Sequence, residues 1–247
     1  MTDKNRIPPC DWSRSVVAVD GGRGFVIETK DRSLIVTAAH CLIRDGESYL
    51  PPPHGLSYTQ ERTYANLLGP LDGERNVWAE CLFADPVADI AVLGSPDGQV
   101  LWDQAEAYDA LVDAAVPLKL GALPPFKAQH HTLPDGTEIA LEPIAEGAAW
   151  LLSLSGQWFA CRVTSTGRSL QISDAEEGIR GGMSGSPIVA PDGRAIGIVC
   201  LATGSGDDGD DCREGGPNPF LPASLPGWLL KELGLFEYEA GARLGVH

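Results

Sequence analysis

Three short apolar runs, SVVAVD (15–20), GFVIET (24–29) and SLIVTAA (33–39), follow one another with only Gly, Asp or Lys-Asp turns between them. Runs this brief, rich in β-branched residues and closed by turn formers, read as strands. Strand character returns in VWAECLF (77–83) and DIAVLG (89–94). It continues in TEIALEP (137–143), AWLLSL (149–154), QWFACRVTS (157–165), RSLQIS (168–173), SPIVA (186–190) and RAIGIVCLA (194–202). With 29 Gly and 19 Pro and few helical patterns, the chain is expected to be β-rich and loop-rich.

The intervening stretches divide the chain. RDGESYLPPPHGLSY, after His40, contains three consecutive prolines and reads as loop. Residues 102–115 have helical apolar spacing, and LGALPPFKAQHHTLPDG then reads as an irregular connector. PDG at 191–193 suits a hairpin turn. The acidic, Gly-rich 204–219 lacks the ligand order of a calcium loop and reads as mobile surface. Residues 225–236 read as a C-terminal helix with Pro near its first turn. The expected division is an extension (1–13), a first β unit (14–95), a linker (96–136), a second β unit (137–224) and a C-terminal helix and tail (225–247).

A formal charge of −16 repels phosphate backbones, so neither nucleic acid nor an anionic membrane is an expected partner. The opening MTDKNRIPPCDW has no apolar core for a signal peptide, and no run approaches a membrane span; the expected location is the cytoplasm. Six cysteines show no zinc-type spacing, and His130-His131 lies among turn residues without a ligand set, so no metal or cofactor is expected.

Three segments carry chemistry. In LIVTAAHCL a strand runs into small residues and then His40, a setting that can hold an imidazole rigidly at a cleft. In DPVADIAVLG, Asp89 stands immediately before an apolar strand, where an acid can orient a histidine; Asp85, before Pro86, is the rival in a turn setting. In GIRGGMSGSPIV (178–189), glycines let the backbone turn sharply around Ser184. The N–H groups of Gly182 and Ser184 are the natural donors to an oxyanion, while Ser186 precedes Pro187 and begins the next strand.

VTAAHC, DIAVL and GMSGSP, in that order, resemble the histidine, aspartate and serine motifs of the trypsin/chymotrypsin-like serine peptidase superfamily. GIVCLATG resembles the strand that lines its substrate cleft. The resemblance spans roughly residues 14–235. It implies an all-β fold of two packed six-stranded antiparallel β-barrels with a C-terminal helix and the site between the barrels. Carried over, His40 is general base and acid, Asp89 orients it, Ser184 is the nucleophile, and Gly182 and Ser184 form the oxyanion hole. Motif alignment puts the specificity pocket at Gly178, Ile179 and Arg180 and on Cys200, Leu201 and Ala202.

Departures from the family pattern matter as well. Met183 stands where digestive members carry the Asp that pairs with a freshly cut N-terminus, so activation by N-terminal cleavage is not expected. No cysteine lies near Phe25 or Val26, where the usual disulfide partner of Cys41 is expected. No acid marks the pocket base, which points to small or apolar residues before the scissile bond; Arg180 could instead contact an acidic group. The reading is an intracellular serine endopeptidase acting on protein or peptide, of the kind found in bacterial stress or immune systems, with a possible regulatory partner protein. The alternatives are a latent protease fold kept as a binding or regulatory module, and an esterase on the same fold.

Overall fold

The computed structural model describes residues 10–43, 63–121, 123, 127–132, 134–135, 138–167, 169–200 and 212–235. Its strands form two antiparallel barrel-like units. In the first, β1 (Val16–Val19), β2 (Gly22–Glu28), β3 (Ser33–Thr37), β4 (Thr63–Pro70), β5 (Val77–Asp85) and β6 (Ile90–Gly94) close in the order β1-β2-β3-β6-β5-β4. Helix α1 (Trp102–Asp113) follows and buries Tyr108 and Val112; the Tyr108 hydroxyl bonds the Ser33 and Leu93 carbonyls.

The second unit comprises β7 (Lys127–Thr132), β8 (Glu138–Leu152), β9 (Trp158–Thr166), β10 (Ser169–Ser173), β11 (Pro187–Val189), β12 (Ala195–Ile198) and β13 (Gly215–Pro219). Six of these run β12-β11-β8-β9-β10-β13, with β7 paired to the first part of β8. A bridge between Gly197 and Phe220 brings the two ends of the path together. Alternate residues of β9 are buried, as a sheet with one wet face requires. Strands β2, β3 and β6 are buried along nearly their whole length.

Several boundaries differ from the sequence reading. Strand β4 was not anticipated: a register shift between Tyr64 and Leu68, with Asn66 at φ 53°, breaks its alternation. The expected linker 96–136 contains β7, so the second sheet starts well before residue 137, and His130 and His131 lie on a strand instead of in a loop. Most of the two runs expected at 137–143 and 149–154 belongs to one 15-residue strand, β8, because residues 144–148 between them stay paired with β9. Part of the acidic stretch, Gly215–Pro219, is a strand because β10 pairs with it, although GGPNP has no strand propensity of its own; residues 204–211 lie outside the described residues. The helix expected at 225–236 is the shorter α3 (Gly227–Glu232); a second short helix, α2 (Leu221–Ser224), precedes it within the expected second β unit, and Pro226, whose ring cannot continue α2, separates them.

The seam between the units joins a continuous apolar cluster, in which Leu152, Val189 and Ile198 meet the first unit's core, to a few specific polar contacts. Arg23, on β2, is only 5% exposed, yet its guanidinium reaches the carbonyls of Leu152 at 2.8 Å and Ser153 at 3.0 Å in the second unit. Burial lowers its pKa, with Asp72 opposing that shift. A turn of 3-10 helix at Cys10–Ser15 crosses the same seam. Trp12 stacks edge-on against Trp158 at 5.6 Å and abuts Gly193, while the Trp158 indole N–H donates to Ser13 Oγ at 2.8 Å. On the other side α3 rests on the β2–β3 turn, where Arg32 lies over Trp228 and pairs with Glu232.

Truncating Trp12 to Ala removes the aromatic pair and its contact with Gly193. The expected loss is about 2 kcal/mol, below the cost of a fully buried aromatic because Trp12 is half-buried. The urea midpoint reads it directly.

Candidate active site

His40 sits in a turn of 3-10 helix (Ala39–Leu42) at the end of β3, in a segment whose other side chains are buried. Its imidazole Nδ1 lies 2.7 Å from Asp89 Oδ2, and its own backbone N–H donates to Asp89 Oδ1 at 2.9 Å. One carboxylate therefore fixes both the ring and the main chain of the histidine. Asp89 is held in turn: its carbonyl accepts from the Ala39 N–H at 3.2 Å and from the Cys200 thiol at 3.3 Å. It adopts φ 56°, a conformation Asp tolerates better than most residues. Asp85 does different work, accepting the N–H groups of Val87 and Ala88 in a turn. Of the two acids, the structure thus sets Asp89, the one favoured in sequence, against His40 and Asp85 in a turn.

The Asp89 hydrogen bond, with a smaller contribution from the Cys41 thiol, outweighs partial burial and pushes His40 up to about 10. Burial pushes the Cys200 thiol up as well, with the Asp89 charge adding to it.

Ser184 reaches the same place from the second unit. Its carbonyl accepts the Arg23 N–H at 2.7 Å and lies 3.8 Å from Cys41 Sγ, next to His40. Gly185 follows at φ 81°, and its N–H donates to the Val199 carbonyl at 2.7 Å. The Met183 and Ser186 N–H groups bond the Arg180 and Met183 carbonyls, at 3.2 and 2.9 Å. Among the described residues, the N–H groups of Gly182 and Ser184 donate to nothing. Gly182 has φ 87°, which favours glycine there. Two unengaged donors one residue apart are what stabilisation of an oxyanion needs. The Ser184 hydroxyl makes no hydrogen bond to His40; in unliganded sites such contacts are often long.

The remaining sequence candidates fare differently. Ile179 is 2% exposed and packed in the second unit's core, and its N–H donates to the Cys212 carbonyl at 2.7 Å. Gly178 is partly exposed, and Arg180 is exposed with its N–H directed to Met183 Sδ. Cys200 is buried beneath Asp89. Leu201 and Ala202 lie outside the described residues. Ser186 is fully buried at the start of β11, away from solvent.

The residue facing Cys41 is Gly22, not Phe25 or Val26. A Cβ at Gly22 would stand 2.5 Å from Cys41 Sγ and 2.7 Å from the Ser184 carbonyl, because β2 starts beside the serine turn. Sequence reasoning also missed Arg23. Its one visible signal is a charge inside the apolar run that becomes β2.

Two outcomes follow from this geometry. Gly185→Ala places a methyl on the Arg23 carbonyl at a left-handed φ and should destabilise the fold by on the order of 3 kcal/mol, read by denaturant unfolding. His40 is raised from 6.5 to about 10, so the stability it gains from Asp89 is complete below pH 6.5 and is lost as pH rises through about 10. An NMR titration of the imidazole should show this, and Asp89→Asn should return the ring toward the ordinary histidine range.

Two solved structures show a limited likeness to this chain. A chain from a Sesbania mosaic virus structure, concerned with the coupled folding and binding of the intrinsically disordered VPg protein, is 13% identical; the match covers 85% of this chain and 88% of that one at TM-score 0.44. The inactive form of a serine-to-alanine mutant of Rv3671c from M. tuberculosis H37Rv is 17% identical, covering 95% and 90% at TM-score 0.45. No curated protein matches the chain significantly. The family model for the trypsin-like peptidase domain matches residues 22–198, from the start of β2 through the serine turn to the end of β12. That span is well over half of the chain, which belongs to the trypsin-like peptidase domain family.

Proposed function

We propose that this protein is a serine endopeptidase, with Ser184 as nucleophile, His40 as general base and acid, and Asp89 as the group that orients His40. The observation that carries the reading is the double hold of one carboxylate on His40, through Nδ1 and through the backbone N–H, beside a serine turn with two unengaged donors. Ser184 would attack a carbonyl carbon while the imidazole takes its proton; Gly182 and Ser184 would donate to the developing oxyanion. Collapse would expel the amine, protonated by His40, and water would release the acyl group by the reverse sequence. Carboxylate hydrogen bonding favours the imidazolium that forms at both steps.

Among the described residues the buried thiols of Cys41, Cys161 and Cys200 form no disulfide, which supports a reducing compartment such as the cytoplasm. No described helix is long and apolar enough to cross a membrane. A setting in a bacterial stress or defence system, with a partner protein acting in trans, rests on the family resemblance alone. Met183, 1% exposed in the second core, supports a site that needs no N-terminal ion pair.

A second reading, a resting state that is catalytically latent, is favoured by the missing Ser184–His40 hydrogen bond and by an imidazole that is protonated at neutral pH. Labelling by a fluorophosphonate discriminates between them. Labelling of Ser184 that Ser184→Ala abolishes supports the enzyme; a folded protein that never labels supports the latent module. Because the neutral imidazole is the base, the labelling rate should climb with pH and level off near 10. Asp89→Asn should slow it by roughly 10³- to 10⁴-fold at neutral pH.

A further inference from the structure

We infer that Asn218 is a positioning residue for the candidate triad: through Cys200 it ties Asp89 to the second barrel-like unit. The inference rests on the peptidase reading above, because the group it positions is the one that orients His40. Asn218 lies on β13 and is only 1% exposed, and its Oδ1 accepts the Cys200 N–H at 2.8 Å. The Cys200 thiol in turn donates to the Asp89 carbonyl at 3.3 Å. Two hydrogen bonds therefore lead from one buried amide to the acid that holds the imidazole.

The main chain does not make this link by itself. Strand β12 ends at Ile198, and the Val199 N–H donates back to the Ser186 carbonyl at 2.9 Å. On its other side β12 meets the chain after β13 in an isolated bridge, Gly197 to Phe220, so no ladder carries on to Cys200. Asn218 stands between Pro217 and Pro219, neither of which has an N–H to offer, and the proline after it keeps its backbone extended. Its side chain supplies the acceptor that the sheet lacks at Cys200. The other end of the amide bears the cost: Nδ2 is buried and makes no hydrogen bond among the described residues. An apolar residue would avoid that cost but would leave the buried Cys200 N–H without its acceptor.

Asp89 needs the tie. It sits at φ 56°, a left-handed conformation that persists where the surroundings fix it. Its carbonyl has one donor from its own unit, the Ala39 N–H at 3.2 Å, and one from the other, the Cys200 thiol. Among the described residues, the thiol makes the one hydrogen bond by which the second unit reaches Asp89. Release of the thiol loosens the carboxylate, and with it the hydrogen bond that raises His40 to about 10. The titratable groups around the imidazole are Asp89 and the Cys41 thiol, with Cys200 behind Asp89.

Asn218→Ala and the milder Asn218→Ser, whose hydroxyl stops one bond short of Cys200, test the inference in the full chain. The measurements are an NMR titration of the imidazole and fluorophosphonate labelling, with the urea midpoint showing that each variant is folded. In both variants the His40 pKa should fall from about 10, whereas losing a side chain that only fills space would leave it unmoved. The labelling rate, compared where each pH profile levels off, should drop by about tenfold in Asn218→Ala. Asn218→Asp keeps the acceptor and should stay within about threefold of the parent. In a Cys200→Ala background, Asn218→Ala should cost nothing more, since its effect runs through the thiol. An unmoved His40 titration in the folded Ala and Ser variants overturns the inference, and so do losses that add in the double variant. If the folded parent never labels, the peptidase reading fails, and the titration alone decides whether Asn218 holds Asp89.

Discussion

The main-chain hydrogen bond from Arg23 to the Ser184 carbonyl is the contact on which the site depends. It joins the second strand of one barrel to the serine turn of the other, and neighbouring contacts leave little slack around it. The Arg23 carbonyl accepts from Thr37 Oγ1 at 2.6 Å, and Gly185 packs so close to that carbonyl that no side chain fits. Gly22 gives the same closeness on the other side, against Cys41 and Ser184. A site assembled from two units needs its reacting groups placed to within fractions of an ångström. Backbone packing at glycine supplies that placement more stiffly than long side chains do.

Side chain and main chain of Arg23 act together in this. Its guanidinium is buried against two carbonyls with no carboxylate in ion-pair contact among the described residues, an arrangement that costs solvation. The offset is geometric: five donors in a planar fork let one residue hold a hairpin that no sheet ladder from the first barrel reaches. The same residue thus sets the serine turn from below and the neighbouring hairpin from the side.

The segments that carry the candidate triad were more legible than several of the strands around them. His40, Asp89 and Ser184 stand in short segments where small residues, an apolar strand and glycines announce a rigid backbone, and such local patterns survive in sequence. Strands β4, β7 and β13 did not, because their partners rather than their composition make them strands: Asn66 interrupts one, and GGPNP is held by β10 alone. Asp89 was favoured over Asp85 because it adjoins the apolar strand, and the coordinates set it against His40 while Asp85 closes a turn.

Met183 has a thermodynamic consequence of its own. Its side chain is sunk in the second core, and its thioether receives the Arg180 N–H at 3.4 Å. A serine turn anchored by a buried charge pair responds to ionic strength and to the proton. One anchored by a thioether in hydrocarbon barely senses either. Its hold follows the heat-capacity law of apolar burial instead, so the serine turn responds to temperature more than to salt and weakens on cooling.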